Sequence, residues 1–160
     1  MIILGIDPGL HITGYSILES NGRDTRVIEA GIIRTATNDD FEKKLKEIYT
    51  ETEHIISQFN PDYIAVEELY SHYAHPRTAI IMGHARGIVF LQAARNAIPV
   101  VSYAATRIKK SLTGNGRATK RQVQKMVTSL LNLKDDLYSA DTADALAVAL
   151  CHHNAMLGKR

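Results

Sequence analysis

Carboxylates stand at three separated places in the sequence where the surrounding residues are otherwise apolar. One ends an apolar N-terminal run, two end a second apolar segment, and two begin a stretch rich in alanine and leucine; they are Asp7, Glu67, Glu68, Asp141 and Asp144. Clustered carboxylates repel one another and are driven toward protonation unless a cation compensates their charge. All-oxygen ligation favours Mg²⁺ or Mn²⁺, and the chain has no Cys or His spacing typical of zinc sites. The sequence therefore predicts a site for hard divalent cations.

The basic residues supply the second part of this chemistry. No Asp or Glu occurs from residue 69 to residue 134, although thirteen of the 17 acids precede this interval. Scattered lysines usually form a solvated face, but an interval without any acid favours a surface for a polyanion. Two divalent ions about 3.5–4 Å apart can activate a water and stabilise the leaving oxygen of a phosphoryl displacement. Carboxylates alone could equally hold a structural ion; together with the basic interval they indicate a nuclease.

The N-terminal strand is the element that must position the first carboxylate. Residues 2–6 form an apolar run typical of a strand buried on both faces. Pro8 and Gly9 stop this strand and leave Asp7 at its carboxyl end, the edge at which open α/β sheets bind ligands. Alternatively, Asp7 only accepts hydrogen bonds from its own turn amides. Taken alone, Asp7 is compatible with both interpretations.

Two more strands and a helix are predicted next. Residues 13–19 and 26–34 favour strands joined by a turn-rich segment, which gives an antiparallel meander with the first strand. Apolar residues at helical spacing over 41–59 predict an amphipathic helix that covers one sheet face, with Asp39 and Asp40 at its N-cap.

The segment after this helix should carry the second group of carboxylates. Residues 62–69 follow a helical crossover, so they predict a strand parallel to the first and beside it. Parallel neighbours have their carboxyl ends at the same sheet edge, and Asp7 can therefore converge with one of the two following acids. Side-chain alternation sends Glu67 and Glu68 to opposite faces and does not choose between them.

A second helix is predicted over about 77–96, with apolar residues on more than one side. Gly83 and Gly87 are four residues apart and would let another backbone approach closely. Tight packing within the monomer and a homodimer contact are both compatible with this spacing.

The following segment is short and basic. Residues 98–103 predict a last strand, 104–111 a short helix, and 118–131 a longer one. The glycine-bearing turn 113–117 between the helices could hold a phosphate with its backbone amides, although it does not fit the full P-loop pattern.

The last helix is predicted over about 139–153. Asp141 and Asp144 are three residues apart and lie on one helical face. Acids in a first turn often interact only with the helix dipole, but two on one face of so apolar a helix favour a metal site. His152 and His153 come too late to share this face, and we expect them to be C-terminal dipole partners.

Length and composition are those of one soluble globular domain, residues 1–160. The chain is 45% hydrophobic and 22% charged, with a formal net charge of +2. No apolar run approaches the roughly 20 residues that cross a bilayer, and the N-terminus lacks signal-peptide features, so we expect no membrane association and a cytoplasmic location. The single cysteine, Cys151, lies in an apolar stretch and is expected to be a buried structural thiol.

Five segments together resemble the RuvC family of bacterial Holliday-junction resolvases. They occur in the family's order and with similar spacing, from residue 2 to about residue 153: Ile6-Asp7-Pro8-Gly9 with Thr13-Gly14-Tyr15, Pro61-Asp62-Tyr63-Ile64-Ala65-Val66-Glu67, Gly83-His84-Ala85-Arg86-Gly87, Tyr103-Ala104-Ala105, and Ala140-Asp141-Thr142-Ala143-Asp144-Ala145-Leu146-Ala147. The resemblance implies a ribonuclease H-like α/β fold, a five-stranded mixed sheet flanked by helices, and a homodimer.

The resemblance also implies roles for individual residues. The catalytic, metal-binding acids are Asp7, Glu67, Asp141 and Asp144, which makes Glu67 rather than Glu68 the ligand. Lys109 and Lys120 match basic residues near the scissile phosphate, with Lys120 stabilising its charge, and Tyr70 matches an aromatic that stacks on junction bases. For Tyr70, packing at a strand end is an equal alternative. The basic residues expected to bind DNA are Lys109, Lys110, Arg117, Lys120 and Arg121.

The activity implied is hydrolysis of phosphodiesters in a four-way DNA junction, with two Mg²⁺ ions per subunit that Mn²⁺ can replace. A two-fold dimer would make paired nicks with 5′-phosphate and 3′-hydroxyl ends, in recombination and repair alongside the RuvA–RuvB branch-migration complex. A nuclease acting on RNA and a non-catalytic branched-DNA-binding module are alternatives. The N-terminal motif also resembles the first phosphate loop of the actin and sugar-kinase superfamily, which needs two such domains.

Overall fold

The computed structural model describes residues 1–69, 76–133 and 139–158 of the chain. Its strands form one mixed sheet in the order β3-β2-β1-β4-β5: β1 (Ile2–Asp7), β2 (Ile12–Ser20), β3 (Thr25–Arg34), β4 (Tyr63–Glu67) and β5 (Val100–Tyr103). The first three strands are an antiparallel meander, and β4 and β5 continue the sheet parallel to β1. The predicted five-stranded mixed sheet is therefore confirmed.

Helices cover both faces of this sheet. They are α1 (Phe41–Phe59), α2 (Pro76–Arg95), α3 (Ala105–Thr113), α4 (Lys120–Leu130) and α5 (Ala140–Leu157). Within the described ranges, none of them is long and apolar enough to cross a membrane. The C-terminal residue of α1 is followed by Asn60 in the left-handed conformation (φ 43°), which ends the helix as predicted. Asp40 is at the N-cap of α1, but its carboxylate pairs with Lys43 at 2.7 Å instead of capping a backbone amide.

The alternation of side chains along the central strands assigns each residue to one of two layers. Ile3 and Ala65 belong to the core formed with α3, α4 and α5, whereas Leu4 and Ile64 belong to the core formed with α1 and α2. Continuing this two-residue period to the strand ends turns Asp7 and Glu67 toward the α5 side. Neighbouring Glu68 lies beyond the end of β4 and is exposed.

Helix α5 lies directly on the backbones of β1 and β2. A Cβ added at Gly14 would overlap the carbonyl oxygen of Asp141, and one added at Gly5 would overlap that of Ala145. The Ser16 hydroxyl donates to the same Ala145 carbonyl at 3.0 Å. Because α5 carries two of the predicted acids, this close contact fixes their height above the sheet.

One sequence-based prediction about the last helix is wrong. Helix α5 continues to Leu157, so His152 and His153 are buried mid-helix residues and not C-terminal dipole partners. The hydroxyl of Tyr103 lies 2.7 Å from His152 Nδ1, and that of Ser20 lies 2.9 Å from His153 Nδ1. Burial of Cys151, in contrast, is confirmed.

The two alternatives left open for the glycines of α2 were tight packing within the monomer and a homodimer contact. A Cβ at Gly87 would meet nothing within 4 Å in the described part of the chain, and one at Gly83 would meet only Leu69 Cδ1, at 3.8 Å. The two glycines therefore do not serve tight packing against another described segment. No described segment packs closely against this face of α2.

Substituting Gly14→Ala should test how closely α5 approaches the sheet. The added methyl must displace α5, so we expect a loss of about 1–3 kcal/mol in the free energy of unfolding, the usual cost of overpacking. Gly158→Ala is the matched control, because Gly158 has an ordinary helical φ of −73° and its Cβ would have no neighbour closer than 3.9 Å. Urea denaturation followed by circular dichroism measures both. Equal stability of the two variants would contradict the described packing of α5.

Candidate active site

The carboxyl ends of β1 and β4 bring the first two predicted acids to one sheet edge. The two strands are parallel neighbours with Ile6 opposite Val66. Asp7 and Glu67 are the next residues of the two strands, so they lie side by side where both strands end. Helix α5 crosses this edge at its N-terminus, since the Asp141 backbone contacts Gly14, the β2 partner of Asp7. The Ser139 hydroxyl accepts from the Thr142 amide and fixes the start of α5 there.

The four acids interact electrostatically. The pKa of Asp7 is raised from 3.8 to about 7, first by burial and then by the negative charges of Asp144, Glu67 and Asp141, whereas the Lys120 ammonium lowers it. Burial and then Asp144 raise the pKa of Glu67 as well, against the lowering by Lys109 and Lys120. The carboxylates therefore form a single cluster that lacks enough positive charge.

Lys120 is the first residue of α4 and makes the closest contact to the cluster. Thr119 and Gln122 form a capping box that fixes this helix start. The Lys120 ammonium lies 2.6 Å from Asp144 Oδ2, and this hydrogen bond raises the pKa of the lysine. Burial nevertheless raises the pKa of Asp144, because it outweighs the pull of Lys120. One lysine is thus too little to compensate the cluster.

A cleft of about 230 Å³ opens beside these residues. Acidic, basic and apolar side chains share its wall: Glu67, Asp144, Lys109, Lys120, Ala105, Ile108, Val123 and Ala147. Negative groups that can hold a cation and positive groups that can face a phosphate thus line the same space. The apolar wall contributed by α3, α4 and α5 was not predicted from the sequence, because only the packing of the three helices creates it.

The donor set fits a hard divalent cation. Its four carboxylates provide only oxygen ligands, and the half-buried Asp7 carboxylate accepts no hydrogen bond from the described residues. As the side chains are placed, no three His, Cys, Asp or Glu residues within 1–69, 76–133 and 139–158 converge tightly enough to enclose an ion. The Asp7 alternative of bonding to its own turn is not seen; the Gly9 amide donates to Thr13 Oγ1 instead.

Three of the predicted DNA-binding residues, Lys110, Arg117 and Arg121, do not line this cleft. Arg117 and Arg121 are exposed at the turn before α4 and in its first turn. Lys110 lies on a different side of α3, beside Arg107. Tyr70 lies outside the described residues.

Gly14 and Ser16, which position α5, were not predicted from the sequence. The available signal was a glycine inside a predicted strand, since such a glycine often marks close approach of another backbone.

The fold and site together define a class of protein. A sheet ordered 3-2-1-4-5, with acids at the carboxyl ends of its central parallel strands and on the helix across them, is the arrangement of ribonuclease H-like nucleases. The chain belongs to the RuvC family: the family model described as crossover junction endodeoxyribonuclease RuvC matches residues 3–152.

Curated relatives support the same assignment. The chain is 46% identical over 151 residues to the crossover junction endodeoxyribonuclease RuvC of Rhodopirellula baltica, with 94% of this chain and 85% of that protein covered. It is 45% identical over 152 residues to the enzyme of the same name from Alkaliphilus oremlandii, covering 95% of this chain and 92% of the relative.

Solved structures agree in fold. RuvC of Thermus thermophilus in complex with Holliday junction substrate superimposes with a TM-score of 0.92 at 29% identity, covering 99% of this chain and 96% of the other. The yeast mitochondrial Holliday junction resolvase has a TM-score of 0.66 at 13% identity, covering 98% and 82%, and shares the fold.

The raised pKa of Asp7 predicts how this residue affects stability in the absence of divalent ions. An acid whose pKa is higher in the folded than in the unfolded state destabilises the fold once the pH exceeds the unfolded value. Asp7 should therefore weaken the native state progressively between pH 4 and about 7. We expect Asp7→Asn in EDTA to increase the free energy of unfolding by a few kcal/mol at about pH 8 and by little at about pH 4.

Chemical denaturation across this pH range measures the effect. The matched control is Glu68→Gln, which removes an exposed carboxylate outside the cluster. If Asp7→Asn and Glu68→Gln showed the same pH dependence, the electrostatic strain assigned to Asp7 would be absent.

Proposed function

We propose that this protein resolves four-way DNA junctions by metal-assisted hydrolysis of phosphodiester bonds. The observation that carries the proposal is the convergence of Asp7, Glu67 and Asp144 with Lys120 at one sheet edge, in a chain of the RuvC family. The Thermus thermophilus relative, whose structure contains a Holliday junction substrate, supports the junction as the DNA form that is bound.

Asp7, Glu67, Asp141 and Asp144 would hold Mg²⁺, two ions per subunit by the family resemblance, with Mn²⁺ as a substitute. Bound divalent ions would supply Lewis acidity, which lowers the pKa of an attacking water and stabilises the leaving oxygen. The carboxylates themselves would hold the ions in place and exclude other anions from the sheet edge.

The lysines of the cleft act on the phosphate. Lys120 lines the cleft beside Asp144, where its ammonium can stabilise the negative charge that develops on the phosphate. Lys109, which lines the same cleft, assists it. The expected products have 5′-phosphate and 3′-hydroxyl ends. Along the flanking DNA we expect contacts from Lys110, Arg117 and Arg121, and stacking of Tyr70 on junction bases stays a prediction.

Cleavage of a synthetic four-way junction tests the function. Linear duplex and an RNA–DNA hybrid are compared with the junction in Mg²⁺, Mn²⁺ and EDTA. We expect nicks confined to the junction and dependent on the metal, no nicks with Asp7→Asn, and a rate lowered about 10²–10³-fold by Lys120→Ala because a charge-stabilising group is lost. Glu68→Gln is the matched control and should cleave normally.

The alternative functions predict different results in the same assay. Tight junction binding without cleavage in either metal would favour a binding module. Cleavage of the hybrid in preference to the junction would assign the protein to RNA processing.

A homodimer built on α2 would place two such sites on one junction. Ile80 and Leu91 are 60% and 50% exposed, and with Gly83 and Gly87 they recur on one helical face. An open apolar face around two glycines suits a second copy of the helix. Two-fold symmetry would then pair the nicks on strands of like polarity.

Charging this face should separate the subunits. We expect Leu91→Glu to sediment as a monomer at concentrations where the wild type is a dimer, and to make single nicks instead of paired ones. Leu130→Glu on α4 introduces the same charge at a residue that is 46% exposed and should not alter the sedimentation. A monomeric wild type, or identical sedimentation of both variants, would reject this interface.

The family resemblance further suggests a role in recombination and repair with a RuvA–RuvB complex, and a cytoplasmic location.

A further inference from the structure

A second cleft, of about 250 Å³, lies on the side of α3 that faces away from the acids. Its lining combines cationic, hydroxyl and amide side chains with a buried thiol: Arg107, Lys110, Ser111, Asn154, Ala155 and Cys151. We call it the outer cleft. Its residues and those that line the catalytic cleft have none in common.

The helical period explains why α3 separates the two clefts. At 100° per residue, Ala105, Ile108 and Lys109 share one side of α3, and these three line the catalytic cleft. Arg107 and Lys110 project from the opposite side into the outer cleft. A helix with its side chains is about 10 Å wide, so the two clefts are about one helix diameter apart.

The outer cleft has the chemistry of an anion site. No Asp or Glu lines it, and neither Arg107 nor Lys110 has a salt-bridge partner in the described part of the chain. The guanidinium of Arg107 is stacked over the Tyr103 ring, 5.1 Å from its centroid, which restricts its orientation. Guanidinium and ammonium groups only donate hydrogen bonds, and phosphate oxygens are their natural acceptors.

Polar groups on the floor of the cleft are also ordered. The Asn154 amide donates to the Ser111 hydroxyl at 3.1 Å, which connects α5 to α3. The buried Cys151 thiol has a raised pKa, because burial outweighs its hydrogen bond with Ser111 and the charge of Arg107. The thiol therefore contributes no negative charge, and the positive charge of the cleft remains uncompensated.

We propose that the outer cleft binds backbone phosphates of the DNA arm that flanks the scissile strand. This inference rests on the proposed function and adds a second contact to it. A duplex presents one phosphate per 3.4 Å of axis on each strand, so a duplex at the catalytic cleft extends past α3 within a few base pairs. Lys110 thereby contacts the flanking arm together with Arg107, whereas Lys109 contacts the scissile phosphate.

The salt dependence of junction binding tests this inference. Binding is followed by fluorescence anisotropy in EDTA, where no cleavage occurs. The slope of log K against log [salt] is negative, and its magnitude reflects the number of counterions released on binding. We expect the double substitution Arg107→Ala/Lys110→Ala to decrease this magnitude by about 1–2, since each lost phosphate contact means about one fewer counterion released. Arg23→Ala/Lys46→Ala is the matched control, because it removes two exposed cations that line neither cleft and should leave the slope unchanged.

Further measurements separate the possible explanations. Arg107→Lys/Lys110→Arg should retain the wild-type slope, because charge and not shape is required. Shortening the junction arms should abolish the difference between wild type and the double alanine variant. Equal slopes for the two double alanine variants on full-length arms would overturn the inference. Stabilisation of wild type alone by inorganic phosphate, with an unchanged slope for junction binding, would also overturn it and assign the cleft to a free anion.

Failure of the proposed function gives a different result. In that case the wild type would not cleave the junction in Mg²⁺, whatever the slopes measured in EDTA.

Discussion

Repulsion among half-buried carboxylates at one sheet edge is the constraint on which the rest of this structure depends. Burial is the largest cause of the raised pKa of Asp7, Glu67 and Asp144, and their mutual repulsion adds to it. Apolar layers on both sheet faces create the low dielectric that makes this repulsion strong. The cluster is therefore destabilising by itself, and a cation bound beside it would offset this repulsion.

Such a cluster requires a rigid support, because flexible carboxylates would move apart. The support comes from α5, which contacts the backbones of β1 and β2 where Gly5 and Gly14 have no side chains. The hydrogen bond from Ser16 to the Ala145 carbonyl lies next to Asp144 and holds this segment. The backbone at Asp144 is thus held against β1, which carries Asp7, and against its neighbour β2.

Local signals in the sequence were sufficient to predict most of the fold and the candidate site. Apolar runs ending in acids identified β1 and β4, and the parallel crossover predicted their adjacency. Features that depend on packing could not be predicted. Alternation left Glu67 and Glu68 undecided until the layers were known, and His152 became a buried core residue because α5 is longer than its apolar pattern suggested. The α3 lysines show the same limit, since Lys109 and Lys110 are adjacent in sequence but face different clefts.

The absence of acids between residues 69 and 134 follows from the same electrostatic constraint. Lys120 contacts Asp144 at 2.6 Å and is the closest cation to the cluster. A carboxylate on α3 or α4 near the cleft would compete for Lys109 and Lys120 and would add to the charge that already raises the pKa of Asp7. It would also repel the phosphates of a substrate. The acids nearest the cleft therefore lie at the sheet edge and on α5, while α3 and α4 carry no acid at all.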